Sequence, residues 1–114
     1  MTEHLIECSF FVPVRRDAHL SDGLPHSSEA WLRLDDAIFD RFGGLTFDPD
    51  VYRGAYRDPD TGLRVNDESR RFIVAIAENE LNDLRQLLIE VCGWFFQKCI
   101  YLNVAGKVEF VKKP

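Results

Sequence analysis

The run "RRFIVAIA", Arg70 to Ala77, constrains the fold more than any other stretch of the chain. Phe72, Ile73, Val74 and Ile76 make it apolar almost throughout, which is the pattern of a central strand covered on both sides. Such a strand needs a partner along each edge and a layer against each face. The N-terminal stretch "HLIECSFFVPV" supplies one partner. Ile6, Cys8, Phe10 and Val12 fall on one face, Leu5, Glu7, Ser9 and Phe11 on the other, and Pro13 closes the strand. Because Leu5 and Phe11 are apolar, that second face is only partly wet.

Two helices are legible beside these strands. In "SSEAWLRLDDAIFDRFGG", Ser27 or Ser28 offers the capping oxygen and Glu29 sits at the positive end. Trp31, Leu34, Ile38 and Phe42 form one stripe, and Gly43 supplies a left-handed stop. In "ENELNDLRQLLIEVCGWFFQK", Asn79 is the predicted cap, and Leu81, Leu84, Leu88, Val91, Cys92 and Phe95 form the buried stripe. Gly93 inside that stripe implies close packing against a neighbour. "VYRGAYRDPDTGLRV" reads as a hairpin turning at Pro59 to Gly62, with a short return arm over Leu63 to Val65. "CIYLNVAGKVEFV" reads as a strand, an Ala-Gly turn and a short strand.

The order strand, helix, strand, strand, helix, strand predicts one α+β domain over 1–114, a ferredoxin-like βαββαβ sandwich. It has an antiparallel sheet, both helices on one face and a short C-terminal hairpin. The first and third strands lie at the centre of that sheet. Their second faces remain apolar, so a second copy of the chain is the expected cover, as a homodimer.

A length of 114 residues, with 46% hydrophobic and 29% charged residues, suits one soluble globular core. The net charge of −5 argues against nonspecific nucleic-acid binding, because phosphates demand a basic surface. No window approaches the roughly 20 apolar residues of a membrane span. The N-terminus lacks the basic region of a signal peptide. Three cysteines with no C-x-x-C pair point away from disulfides and structural zinc and toward a reducing cytoplasm.

Chemistry-bearing side chains cluster in "PVRRDAHLSDGLPH", between the first strand and the first helix. Ligands tend to sit at the carboxyl ends of central strands facing helix N-termini. There Arg15, Arg16, Asp17 and Ser28 are candidate ligand-binding residues for an anion, and His19 and His26 are candidate acid–base groups. The plainer reading is a solvated connection, with Asp17 and Asp22 offsetting the arginines. No spacing of His4, His19 and His26 makes a zinc site, and no cofactor signature is present.

The hairpin holds a second constellation, in which Tyr52 and Tyr56 alternate with Arg53, Arg57, Arg64, Arg70 and Arg71. Tyrosine interleaved with arginine is used on single-stranded nucleic acid. Here Asp58, Asp60, Asp67 and Glu68 leave little positive charge, and cross-strand pairs such as Arg53 with Asp67 and Tyr56 with Arg64 account for the pattern. Gly43-Gly44 lacks the residues of a phosphate loop. Cys8 and Cys92 read as small buried hydrophobes.

The segments "AWLRLDDAIFDRFGGLT", "YRGAYRD" and "FQKCIYL" together resemble a group of small bacterial ferredoxin-like proteins of unassigned function. In that group a helix ending Phe-Gly-Gly-Leu-Thr precedes a Gly-x-aromatic strand. The resemblance spans about residues 30 to 104. It implies the fold and carries no activity, cofactor or site residue. The sequence therefore favours a cytoplasmic homodimeric module that binds a protein partner or small ligand. The alternative is a small isomerase or transferase acting on an anionic substrate at the 15–26 loop, with a nucleic-acid binder third.

Overall fold

The computed structural model describes residues 4–114. The elements run β1 (Ile6–Pro13), α1 (Ser28–Phe42), β2 (Thr46–Phe47), β3 (Tyr52–Arg57), β4 (Arg64–Ile76), α2 (Leu81–Trp94), β5 (Ile100–Val104) and β6 (Lys107–Val111). They build an antiparallel sheet in the order β2-β4-β1-β5-β6, with β3 on the same edge of β4 as β2. The two apolar strands, β1 and β4, are neighbours inside the sheet. Cys8 faces Val74 and Phe10 faces Phe72, and these four are buried with Val12 and Ile76 on the same face.

Period-two alternation sends those side chains to one face, where Leu34 and Ile38 of α1 and Leu84, Leu88 and Val91 of α2 join them in one core. Both helices therefore cover the same face. Phe10 stacks on Phe72 with ring centroids 5.3 Å apart. Truncating a side chain in such a close-packed layer costs about 2–5 kcal/mol.

The ends of α1 follow local chemistry. Ser27 is the cap, its Oγ accepting from the Ala30 N–H at 3.3 Å, and Ser28 is the first helical residue. Gly43 closes the helix at φ +77°, donating its N–H to Phe39 O at 2.8 Å. At α2 the expected Asn79 cap does not form, and no side chain caps the helix. Asn79 lies within a single 3-10 turn, Glu78–Glu80, and the Glu80 carboxylate reaches back to the Ala77 N–H at 2.9 Å. A longer acidic side chain placed three residues on satisfies the free donor better than a short amide beside it. Phe95 is buried as expected but lies past the last turn of α2. At Gly93 a Cβ would meet Lys113 Nζ at 3.3 Å, which is the close approach the glycine implied.

The largest departure from the sequence reading is β4. The expected short arm, the polar "NDES" and the apolar run form one continuous strand of 13 residues. Polar residues join the strand because β3 pairs with them and supplies the backbone hydrogen bonds. The register also differs by one residue: Arg53 faces Glu68, Gly54 faces Asp67, and Tyr56 faces Val65. The cause is a turn running from Asp58 to Leu63, closed by Asp58 N–H to Leu63 O at 2.9 Å and Gly62 N–H to Asp58 O at 2.8 Å. A slip of one exchanges the faces of every side chain on the arm. Because β1 pairs only with Ser69–Ile76, the hairpin projects beyond the end of β1.

The face opposite the helices carries a row of rings. Phe11 meets Tyr52 at 5.4 Å and Tyr101 at 5.3 Å, and Tyr101 meets Phe110 at 5.8 Å. Among the described residues no helix or loop packs over this row, and Phe110 is 63% exposed. No described helix is long and apolar enough to cross a membrane.

Candidate functional site

The projecting hairpin and the loop leaving β1 flank an open cavity of about 900 Å³. The loop residues Pro13 to His19 form one wall, the hairpin residues Arg53 to Tyr56 and Arg64 to Glu68 the second, and Gln97 and Lys98 after α2 the floor. The two polar constellations of the sequence, read above as separate features, thus face each other across one space. Val14 N–H donates to Glu68 O at 2.9 Å, so the loop begins as a continuation of the β1–β4 ladder.

The loop is folded rather than loosely solvated. Arg15 and Pro25 form an antiparallel bridge, Arg16 N–H donates to Leu24 O at 2.9 Å, and His26 N–H donates to Val14 O. Asp17 Oδ1 accepts from the His19 N–H at 2.7 Å, a short Asx turn that shapes the bend. Arg16 holds Asp22 through two hydrogen bonds, at 2.7 and 3.1 Å. That guanidinium, helped by the Leu24 N–H, draws the Asp22 carboxyl down to about 2. The loop also docks onto the end of α2, with Asp17 N–H on Phe96 O at 3.0 Å and the Gln97 amide on Arg15 O at 2.7 Å.

The sequence candidates divide between two places. Arg15, Arg16, Asp17 and His19 line the cavity. His26 and Ser28 are outside its lining. His26 packs edge-on between Trp31 and Phe95, its Nε2 2.8 Å from Pro13 O. Burial in that aromatic nest pushes its pKa down, so the ring is neutral and donates to the carbonyl. Its surroundings make it a clamp between the loop and the core. Ser28 sits one residue inside the helix cap.

The hairpin wall adds groups that the charge count had set aside. Asp67 projects over Gly54, where a Cβ would lie 2.9 Å from Oδ1. Burial raises its pKa, and among the described residues no Lys, Arg or His forms an ion pair with it. Tyr56 is raised as well, first by burial and then by Asp17, Asp67 and Asp58. Asp58 is held as a carboxylate by the N–H groups of Asp60 and Thr61. The hairpin arginines are dispersed: Arg57 binds Gly62 O, Arg64 binds Asn66, and Arg70 stacks over Trp31 on the helix face. One signal for this wall was present in the sequence, since a glycine inside a strand marks a close approach.

Among the described residues no cluster of three His, Cys, Asp or Glu side chains has the geometry of a metal site. Five arginine or lysine side chains and four acidic ones line the cavity, so it suits a ligand that carries both signs.

The chain's fold is similar to that of a phage SAM lyase. In complex with S-methyl-5'-thioadenosine, that enzyme aligns over 99% of this chain and 96% of its own, with a TM-score of 0.71 and 18% identity. Its apo state aligns over the same shares with a TM-score of 0.60 and 19% identity. At this identity the likeness is one of fold. No family model matches the chain, and a search of curated proteins finds no significant match.

Proposed function

We propose that the chain is a lyase of the sulfonium nucleoside type, binding S-adenosylmethionine in the loop–hairpin cavity and releasing S-methyl-5'-thioadenosine. The observation that carries this reading is Asp67, a half-buried carboxyl group lining a cavity of suitable size, with no cationic partner among the described residues. A sulfonium or ammonium group supplies the missing positive charge, while Arg15 or Arg53 on the facing walls meets the ligand carboxylate. The fold likeness to a lyase solved with that thioether supports the choice of ligand. It favours the enzyme alternative over a pure interaction module, and a lyase over an isomerase or transferase.

The chemistry asks for little beyond placement. When the carbon–sulfur bond breaks, its electron pair stays on sulfur and the sulfonium becomes a neutral thioether. The four-carbon fragment balances either by giving a β-proton to a base, for which Asp67 is placed, or by closing onto its own carboxylate. Both routes need a dry, charge-complementary site that holds one conformer. The finer fold assignment in this reading is ferredoxin-like, with the aromatic sheet face buried in a homodimer.

Incubating the purified chain with S-adenosylmethionine and separating the products by chromatography tests the reading. S-methyl-5'-thioadenosine should accumulate with time, and identifying the four-carbon product separates the two routes. If neither ligand raises the melting temperature and no thioether forms, the proposal fails.

A further inference from the structure

Gln97 is only 8% exposed, yet it lines the cavity. Both protons of its amide are spent on the fold: Nε2 donates to Arg15 O at 2.7 Å and to Phe95 O at 2.8 Å. Two carbonyl acceptors on one nitrogen fix which end of the amide is which, because Oε1 in that position would meet oxygen with oxygen. Oε1 accepts no hydrogen bond from any described residue, and no fully enclosed side-chain nitrogen or oxygen among them lacks a partner. Oε1 therefore keeps an open surface, on a residue that lines the cavity.

The backbone holds it there. Phe96 takes φ +51°, an uncommon value for a bulky residue, and Gln97 N–H donates to Cys92 O at 2.9 Å. The result is an uncharged, acceptor-only atom, fixed in direction and fed by two backbone dipoles.

We infer that Gln97 is a specificity-determining residue that accepts a hydrogen bond from a neutral N–H or O–H donor of the bound nucleoside. The inference rests on the cavity taking a 5'-thioadenosine ligand. The charged ends of that ligand are better met by Asp17, Asp67 and the arginines, which leaves the neutral donors, the 6-amino group of the base or a ribose hydroxyl, for an uncharged oxygen. A fixed buried acceptor rejects a ligand that lacks the donor, because the oxygen then gives up water and gains nothing.

Calorimetry with three probes tests it: S-methyl-5'-thioadenosine, its 6-oxo analogue and its 2',3'-dideoxy analogue. The wild-type chain should bind one of the two analogues at least tenfold more weakly than the parent, which names the donor. Gln97→Met should weaken the parent at least tenfold and bring that analogue to within threefold of it. A merely structural role would weaken all three equally and keep their ratio, and that result overturns the inference. Equal binding of all three probes by the wild type overturns it without any variant and leaves the proposed function standing. If the parent thioether does not bind the wild type, both readings fall together.

Discussion

The carboxylate of Asp67 occupies the space that a side chain at Gly54 would need, with Oδ1 2.9 Å from the position of a Cβ there. The pair faces across β3 and β4, so the glycine is what lets the acid lie flat against the hairpin and point into the cavity. Gly54→Ala should leave the fold intact, since the obstacle is the far end of one side chain. Ligand binding should fall at least tenfold as Asp67 is displaced, while the melting temperature stays within about 4 °C of wild type. Calorimetry and a thermal scan check the two halves, and unchanged binding would remove Asp67 from the site.

Asp67 itself should trade function against stability. Burial raises its folded pKa above the ordinary 3.8. Between 3.8 and that raised value the folded state holds more protons than the unfolded one, so this group's contribution to stability falls as pH rises through the window. Asp67→Asn should therefore raise the melting temperature at pH 7, and its advantage should shrink as pH falls toward 3.8. Turnover should drop by at least about a hundredfold, in the range seen when a positioned acid–base group is removed. A variant that loses stability at pH 7 would contradict this placement.

The two candidate histidines should separate cleanly. His26→Ala removes a ring wedged between Trp31 and Phe95 and a hydrogen bond to Pro13 O, which should cost about 1–3 kcal/mol by denaturant titration. The folded pKa of His26 lies below 6.5, so its contribution to stability is present above 6.5 and is lost as pH falls through the lowered value. That acid-side loss should be absent in His26→Ala. His19 is exposed at the cavity rim, and His19→Ala should change ligand binding with no shift in melting temperature.

Self-association is tested on the aromatic row. Phe110 stands at its exposed end against Tyr101. Phe110→Asp introduces a charge that desolvation opposes in any buried interface. Sedimentation should show the wild type above 13.2 kDa and the variant at that mass. A wild-type chain already sedimenting as a single copy at low micromolar concentration would overturn the homodimer.

Much of the secondary structure was legible because its causes are local. The alternation of Cys8, Phe10 and Val12, the Trp31–Leu34–Ile38 stripe and the left-handed stop at Gly43 each depend on neighbours within a few residues. The misreadings fall where a distant strand or a reaching side chain decided the outcome. "NDES" became strand because β3 lies beside it. Asn79 does not cap the second helix because it falls inside a 3-10 turn, whose entry the Glu80 carboxylate ties to Ala77 N–H. The cavity was legible only as two separate sets of residues, and the sequence had weighed each as a solvated surface.

By itself the sequence determined which segments must be buried, in which period, and where the first helix begins and ends, since hydrophobic spacing and backbone capping act over one or two turns. Only the tertiary structure decided that "PVRRDAHLSDGLPH" and "YRGAYRD" share a cavity, that His26 turns inward while His19 turns outward, and that Gln97 closes the floor. Those outcomes depend on a one-residue register in the hairpin and on how far β4 runs past β1. A single step of register exchanges the two faces of a strand, and no property of an isolated segment records that choice.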